Sequence, residues 1–345
     1  MTREEIVRGL REEDPAALEE LWRRADDVRR EYVGNAVHLR GLVEISNHCV
    51  RRCAYCGISL NNKGLVRYRM TADEILACAG QASAFGYGTV VLQGGEDPGV
   101  GRDWVAGIVR RIKDETPLAV TLSLGEREDG DLAAWRQAGA DRYLLRFETS
   151  DGVLYRRIHP SLPGRGSDRF AILRRLRELG YEVGSGVMVG IPGQTFGSLA
   201  EDLLAFAELD LDMIGVGPFL PHPATPLGQG ELPEAPPEHQ VPNGELMTYK
   251  TLALARLACP EANIPSTTAL ATLNLARGRE LGLARGANVV MPNLTPVAYR
   301  ALYEIYPGKA CLRETASECE AGLRQRILNM GREIATGSGG RRRTS

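Results

Sequence analysis

Residues 42–58 read LVEISNHCVRRCAYCGI: a short β-prone run, Leu42–Ile45, and directly after it Cys49, Cys53 and Cys56. A loop that follows a parallel strand opens on the face of an α/β fold where catalysis occurs. The reading works outward from there. Further β-prone runs follow at Thr89–Leu92, Ala119–Leu122, Tyr143–Leu145, Glu182–Met188, Met213–Val216, Asn263–Pro265 and Asn288–Met291. Amphipathic stretches separate them, at Ala72–Phe85, Trp104–Lys113, Leu132–Ala138, Phe170–Leu179, Phe196–Leu209 and Leu246–Leu257. Gly86, Gly139 and Gly180 stand where helix C-caps need a left-handed residue. Eight strand–helix units predict an α/β protein with a complete (β/α)8 TIM-type barrel. A doubly wound open sheet is the alternative, because periodicity alone does not show closure.

Two helices precede the barrel, about Thr2–Leu10 and Pro15–Tyr32, the second with Asp14 as N-cap and Pro15 at the first helical position. The expected organisation is an N-terminal helical extension over 1–35, the barrel over 36–310, a C-terminal helical segment over 311–335 and a disordered tail over 336–345. The proline-bearing stretch Gly228–Gly244 reads as a long irregular loop. Long loops and the N-terminal helices are expected to cover the cavity.

The formal net charge of −2 over 345 residues offers no electrostatic attraction for nucleic acid or an anionic membrane. No apolar run approaches the roughly 20 residues that cross a bilayer. The N-terminus is charged throughout, without the apolar core of a signal peptide, so a cytoplasmic location is expected. Seven cysteines, three of them within eight residues, suit metal ligation better than a disulfide framework.

Three thiolates spaced by four and three residues can hold one iron–sulfur cubane from a single loop. A cubane has four irons, so one stays open to chelate a substrate, whereas an electron-transfer cluster normally has four cysteine ligands. A structural zinc site is one alternative; it needs a fourth ligand, which His48, adjacent to Cys49, is badly placed to supply. Ordinary buried cysteines are another. The pattern C-x3-C-x2-C, with Tyr55 before the last cysteine, resembles the radical S-adenosylmethionine (SAM) superfamily. That resemblance implies a site-differentiated 4Fe–4S cluster on Cys49, Cys53 and Cys56, with the open iron holding the amino and carboxylate groups of SAM.

Later strand ends then carry the expected cofactor contacts. Gly94-Gly95-Glu96 resembles the motif that binds the SAM amino group: glycines admit close backbone approach, and the carboxylate accepts from the ammonium. Arg146 and Glu148, two apart, share one side of a strand and face the cavity or simply close a salt bridge. Arg169, opening a helix, is a candidate for the SAM carboxylate. Gly190 and Ile191, in the turn Gly190–Thr195, either line the adenosyl group or form a structural turn. Cys78 and Cys259 read as small buried hydrophobes, and His222 as a loop residue or a substrate contact.

The strings RYRMTADEI, VLQGGEDP, VTLSLGE, GADRYLLRFETS, GVMVGIPGQT, IGVGPFLPHPATPL, NIPSTTAL and GANVVMPNLTP, with YPGK following, extend the likeness from about His38 to Cys319. Together they are similar to the HydE-type family of FeFe-hydrogenase maturation enzymes, grouped with biotin synthase and methylornithine synthase, which share the complete barrel. The resemblance implies a small iron–cysteine–carbonyl–cyanide synthon as substrate, other hydrogenase maturases and an electron donor as partners, and adenosyl-radical attack on sulfur. It also implies Arg40, Thr121, Ser123, Arg146, Thr268 and Tyr303 on the substrate side. Their types suit that, since arginines pair bidentately with carboxylates. Plain packing for Thr268, and anchoring of the last helix for Tyr303 and Tyr306, are the structural alternatives. Two departures stand out. A second cluster known in some members needs three cysteines, but only Cys311 and Cys319 remain, with Gly322 at the third place, so none is expected. Phe147 occupies a position that can be polar in related chains, which points to cavity tuning or to a subgroup with another substrate. The competing functions are an amino-acid mutase resembling methylornithine synthase, acting on an amino-acid-like substrate, and a non-catalytic metal scaffold indifferent to changes at Glu96 or Arg146.

Overall fold

Strands and helices alternate along the chain as the apolar periodicities require. The computed structural model describes residues 1–164, 166–310 and 315–342. It begins with helices α1 (Arg3–Arg11) and α2 (Pro15–Val33), then β1 (Ala36–Ser46), α3 (Ala72–Ala84), β2 (Thr89–Gly94), α4 (Arg102–Glu115) and β3 (Ala119–Ser123). There follow α5 (Asp129–Gln137), β4 (Arg142–Leu144), α6 (Gly152–Ile158), α7 (Arg169–Glu178), β5 (Glu182–Val189), α8 (Phe196–Glu208) and β6 (Met213–Pro218). The last part holds α9 (Glu245–Ala258), α10 (Thr268–Leu273), α11 (Gly278–Leu283), β7 (Val289–Val290), α12 (Val297–Arg300), α13 (Ala316–Asn329) and β8 (Glu333–Ile334).

The strands lie in the order β6-β5-β4-β3-β2-β1-β7, all parallel, a partial (β/α) barrel with helices outside. The expected strand at Asn263–Pro265 is not one. It touches its neighbours through single bridges, Met213 to Asn263 and Pro265 to Val289. Pro265 has no N–H to give a ladder; backbone bonds run from Ile214 N–H to Asn263 O and from Asn288 N–H to Ile264 O, and side-chain amides add to them: Asn288 Oδ1 accepts from the Ile264 N–H at 2.8 Å, and Asn288 Nδ2 donates to Asn263 Oδ1 at 2.9 Å.

The caps formed as expected. Asp14 accepts from the Ala17 N–H, and Gly86, Gly139 and Gly180 have φ of 69°, 105° and 86°. The N-terminal helices do not cover the cavity. Ile6 and Leu10 are fully buried because α1 packs on the outer layer against α8 and α9. Lys250 of α9 donates to the Leu10 carbonyl, and the Arg11 guanidinium lies 4.3 Å from the Phe196 ring centroid.

The tail also departs from expectation. β8 pairs in parallel with the start of β1, and residues 336–342 run on across the strand beginnings. Ser338 O accepts from Thr89 and Arg142, and Gly339 O accepts from Arg40 and Asn263. Arg341 pairs with Asp210 at 2.6 Å and with Glu261 at 3.0 Å. Gly88, just before β2, is what lets the tail backbone pass: a Cβ there would stand 1.6 Å from the Gly337 carbonyl. Among the described residues no helix is long and apolar enough to cross a membrane.

Candidate active site

The strand ends enclose a cavity of about 330 Å³ that reaches from the cysteine loop to Arg40 and Asn263. Its wall contains Cys49, Cys53 and Cys56, with Tyr55, Gly94, Gly95, Glu96, Glu148 and Arg169 near them. Arg40, Thr121, Ser123, Arg146, Thr268 and Tyr303 line it as well. Residues far apart in the chain thus share one chamber.

The cysteine loop is held by backbone bonds to three neighbours: Val50 N–H to Glu96 O, Ala54 N–H to Ile158 O, and Gly57 N–H to Ile305 O. Gly95 is required by contact, since a Cβ there would lie 2.2 Å from His48 O and 2.9 Å from Cys49 Cβ. The three thiols are free. Burial raises their pKa values, that of Cys56 to about 12 with Cys49 contributing next. Thiolates here therefore call for a bound cation. Among the described residues no three His, Cys, Asp or Glu side chains converge on a single metal ion.

A buried charge network backs this wall. Arg51 lies between Glu96 and Glu126, at 2.8 Å from each. Glu126 also accepts from Ser167 and Arg169, and Glu96 accepts from the Glu126 N–H. Arg169 reaches His159 Nε2 and the Arg146 carbonyl. Burial, then Arg169 and Arg51, push His159 down to about 2, so it is neutral and can accept. Arg146 pairs with Glu148 at 3.0 Å and donates to Val187 O. Both earlier readings of that pair hold at once, a salt bridge and a cavity wall. Glu148 has φ of +64°, a left-handed conformation that costs a non-glycine residue about 1–3 kcal/mol and clusters at functional sites.

Several buried polar atoms of this wall lack a hydrogen-bond partner: Arg40 Nε, Arg51 Nη1, Thr121 Oγ1 and Arg146 Nε. Buried polar groups are normally satisfied, so orphans gathered around one chamber mark a place for a polar ligand.

Gly190 and Ile191 stand behind the wall. Gly190 is shaped by a turn with φ of 82°, where a Cβ would meet Asn243 Cα at 2.2 Å. Ile191 is buried in an apolar group with Ala54, Met188 and Phe219, against which Tyr55 packs. Phe147 faces away from the cavity, its ring 4.9 Å from Phe170 and 5.6 Å from Phe206, so it does not tune the chamber directly. His222 serves its own loop, its Nδ1 accepting from the Ala224 N–H. Cys311 and the side chain of Cys319 lie outside the described residues. Sequence reasoning missed Arg51, Glu126, His159, Glu44 and Lys309. Arg51 sits inside the cysteine motif, Glu126 ends VTLSLGE and Lys309 ends YPGK, so charge within each motif was the available signal.

A barrel wall of parallel strands with three free thiols on its first loop and a chamber beneath that carries buried polar atoms is the arrangement of a radical SAM enzyme. The family model described as the Radical SAM superfamily matches residues 43–206. The [FeFe] hydrogenase maturase subunit HydE of Thermotoga maritima is 46% identical over 343 residues, covering 99% of this chain and 94% of that protein. The 3-methylornithine synthase of Methanosarcina acetivorans is 30% identical, over 81% of this chain and 75% of its own. A crystal structure of methylornithine synthase superposes with a TM-score of 0.82 at 27% identity, covering 97% of this chain and 94% of that one. The chain belongs to the HydE family of [FeFe] hydrogenase maturases, within the radical SAM superfamily, and is a radical SAM enzyme.

Proposed function

We propose that this enzyme acts in assembly of the diiron subcluster of FeFe-hydrogenase, on a small iron–cysteine–carbonyl–cyanide synthon supplied by a partner maturase. When bound, the 4Fe–4S cluster supplies the electron that cleaves SAM to methionine and a 5′-deoxyadenosyl radical. Cys49, Cys53 and Cys56 hold that cluster. Tyr55, Gly94, Gly95 and Glu96 form the methionyl side of the SAM site, with Glu148 and Arg169 beside them. Gly190 and Ile191 shape it from behind. Arg40, Thr121, Ser123, Arg146, Thr268 and Tyr303 face the substrate.

The observation that carries this reading is the set of unpartnered buried atoms, Arg40 Nε, Thr121 Oγ1 and Arg146 Nε, in the same chamber as the three thiols. Donors held ready in this chamber orient a carboxylate- or cyanide-bearing substrate, and its walls limit the C–H bonds that a carbon radical can reach. We read the bridges at Asn263 and Pro265 as closing the ring into a complete (β/α)8 barrel. Residues 1–35 then buttress it from outside. The reducing conditions that free thiols need favour the cytoplasm.

Anaerobic reconstitution with iron and sulfide, followed by EPR of the reduced protein with and without SAM, tests the cofactor part. A 4Fe–4S signal that shifts with SAM and leads to 5′-deoxyadenosine supports it, and Cys56→Ser should lose both. A cluster blind to SAM would end the proposal. The likeness to methylornithine synthase favours a second reading, an amino-acid mutase. The two separate in a mixture of apo-hydrogenase and the other maturases: a mutase leaves the hydrogenase inactive.

A further inference from the structure

Residues 301–310 close one side of the chamber and bring Tyr303 and Tyr306 into its wall. Tyr303 Oη accepts from Gln93 Nε2 of β2 at 3.4 Å, and further neutral bonds tie this segment to three other places. Asn47 Nδ2 donates to Leu302 O at 2.7 Å, Gly57 N–H to Ile305 O at 2.9 Å, and Ala310 N–H to Thr272 Oγ1 at 3.1 Å. Its buried charge is Lys309, 5% exposed, whose Nζ contacts the carboxylate of Glu44, itself fully buried in β1. The other oxygen of Glu44 accepts from Asn293 Nδ2 at 3.1 Å. The Lys309 ammonium also lies 5.1 Å from the Tyr303 ring centroid.

Desolvating two ions is costly, and an apolar pair of similar volume stabilises a fold at least as well. What a buried ion pair adds is one defined position. The neutral bonds of the segment go to the cysteine loop, α10 and, through a long bond from Gln93 to Tyr303, β2, whereas Lys309 alone among these contacts reaches β1. Resting on the reading of a chamber substrate given above, we propose that Lys309 is a positioning residue. Through Glu44 it fixes segment 301–310 against β1, holding Tyr303 and Tyr306 where they orient the substrate toward the SAM end.

The test uses the full-length reconstituted enzyme, with 5′-deoxyadenosine formation and activation of apo-hydrogenase by the complete maturase mixture as two separate readouts. Lys309→Met should keep 5′-deoxyadenosine formation while hydrogenase activation per deoxyadenosine falls about 10- to 100-fold, the scale of a misplaced substrate. Because that variant strands the Glu44 carboxylate, Lys309→Met/Glu44→Gln is measured beside it. The double variant should recover thermal stability and still uncouple. Recovery of coupling together with stability would reduce the pair to a structural role and overturn the proposal. Unchanged coupling in Lys309→Met would overturn it too, as would equal loss of both readouts. Wild-type protein inactive in both assays would instead remove the functional reading underneath.

Discussion

Gly95 shows how much chemistry a missing side chain can carry. With a Cβ only 2.2 Å from the His48 carbonyl and 2.9 Å from Cys49 Cβ, Gly95→Ala must push the cysteine loop off the end of β2. The expected result is a folded protein that takes up less iron on reconstitution; full iron content would show that the loop can move aside. Arg51 is a second case. It answers two carboxylates, Glu96 and Glu126, all three nearly excluded from solvent. Arg51→Met leaves Glu96 without its arginine and Glu126 with Arg169 alone, and breaking a buried pair costs about 3–5 kcal/mol. Chemical denaturation should show a loss of that size, and a loss under ~1 kcal/mol would mean that water reaches the site. The cysteines and the Gly-Gly-Glu turn were legible because their chemistry is local in sequence. Arg51 was harder to read, since its charge stands inside the cysteine motif but its partners lie 45 and 75 residues away.

At the scale of elements, local signals served best where helices begin and end. Thr71 and Glu74 close a capping box on α3, so Thr71→Ala should cost about 1 kcal/mol. That loss is readable as a lower thermal midpoint with SAM cleavage intact, whereas lost cleavage would place the start of α3 in the site. Strand existence was equally plain where β-branched runs met the helix patterns. It failed at Asn263–Pro265, where the pairing stops at single bridges around a proline and two asparagine side chains supplement the backbone bonds. It failed again at Glu333–Ile334, a two-residue strand too short to announce itself by alternation. The turn at Gly190 was read correctly as a turn, but which side of a wall it occupies depends on Asn243, far along the chain.

The whole molecule is closed at one end by a tail whose composition alone suggested disorder. The sequence GSGG offers no apolar side chain to bury, so its order rests on polar contacts and on a path only glycine fits. One group reports on that closure. His38, at the start of β1, lies against Gly339, where a Cβ would meet its Nδ1 at 2.3 Å. Burial first, then Arg40, Arg142 and Arg342, lower its pKa from 6.5 to about 4. The unfolded chain thus binds the proton between these two values and the native state does not. The contribution of His38 to stability is therefore present above about pH 6.5 and lost as pH falls toward 4. Allowing for the partial exposure of the ring, that slope amounts to roughly 2 kcal/mol across the window. A chain ending at residue 335 loses both the cover over His38 and the cation of Arg342, so the His38 pKa should rise toward its ordinary value, with Arg40 and Arg142 still holding it down in part. Urea denaturation of the two proteins from pH 4 to 7 checks this: the difference in unfolding free energy between them should shrink as the pH falls. A difference independent of pH would mean that the tail does not bury His38, and that the barrel floor is closed by other residues.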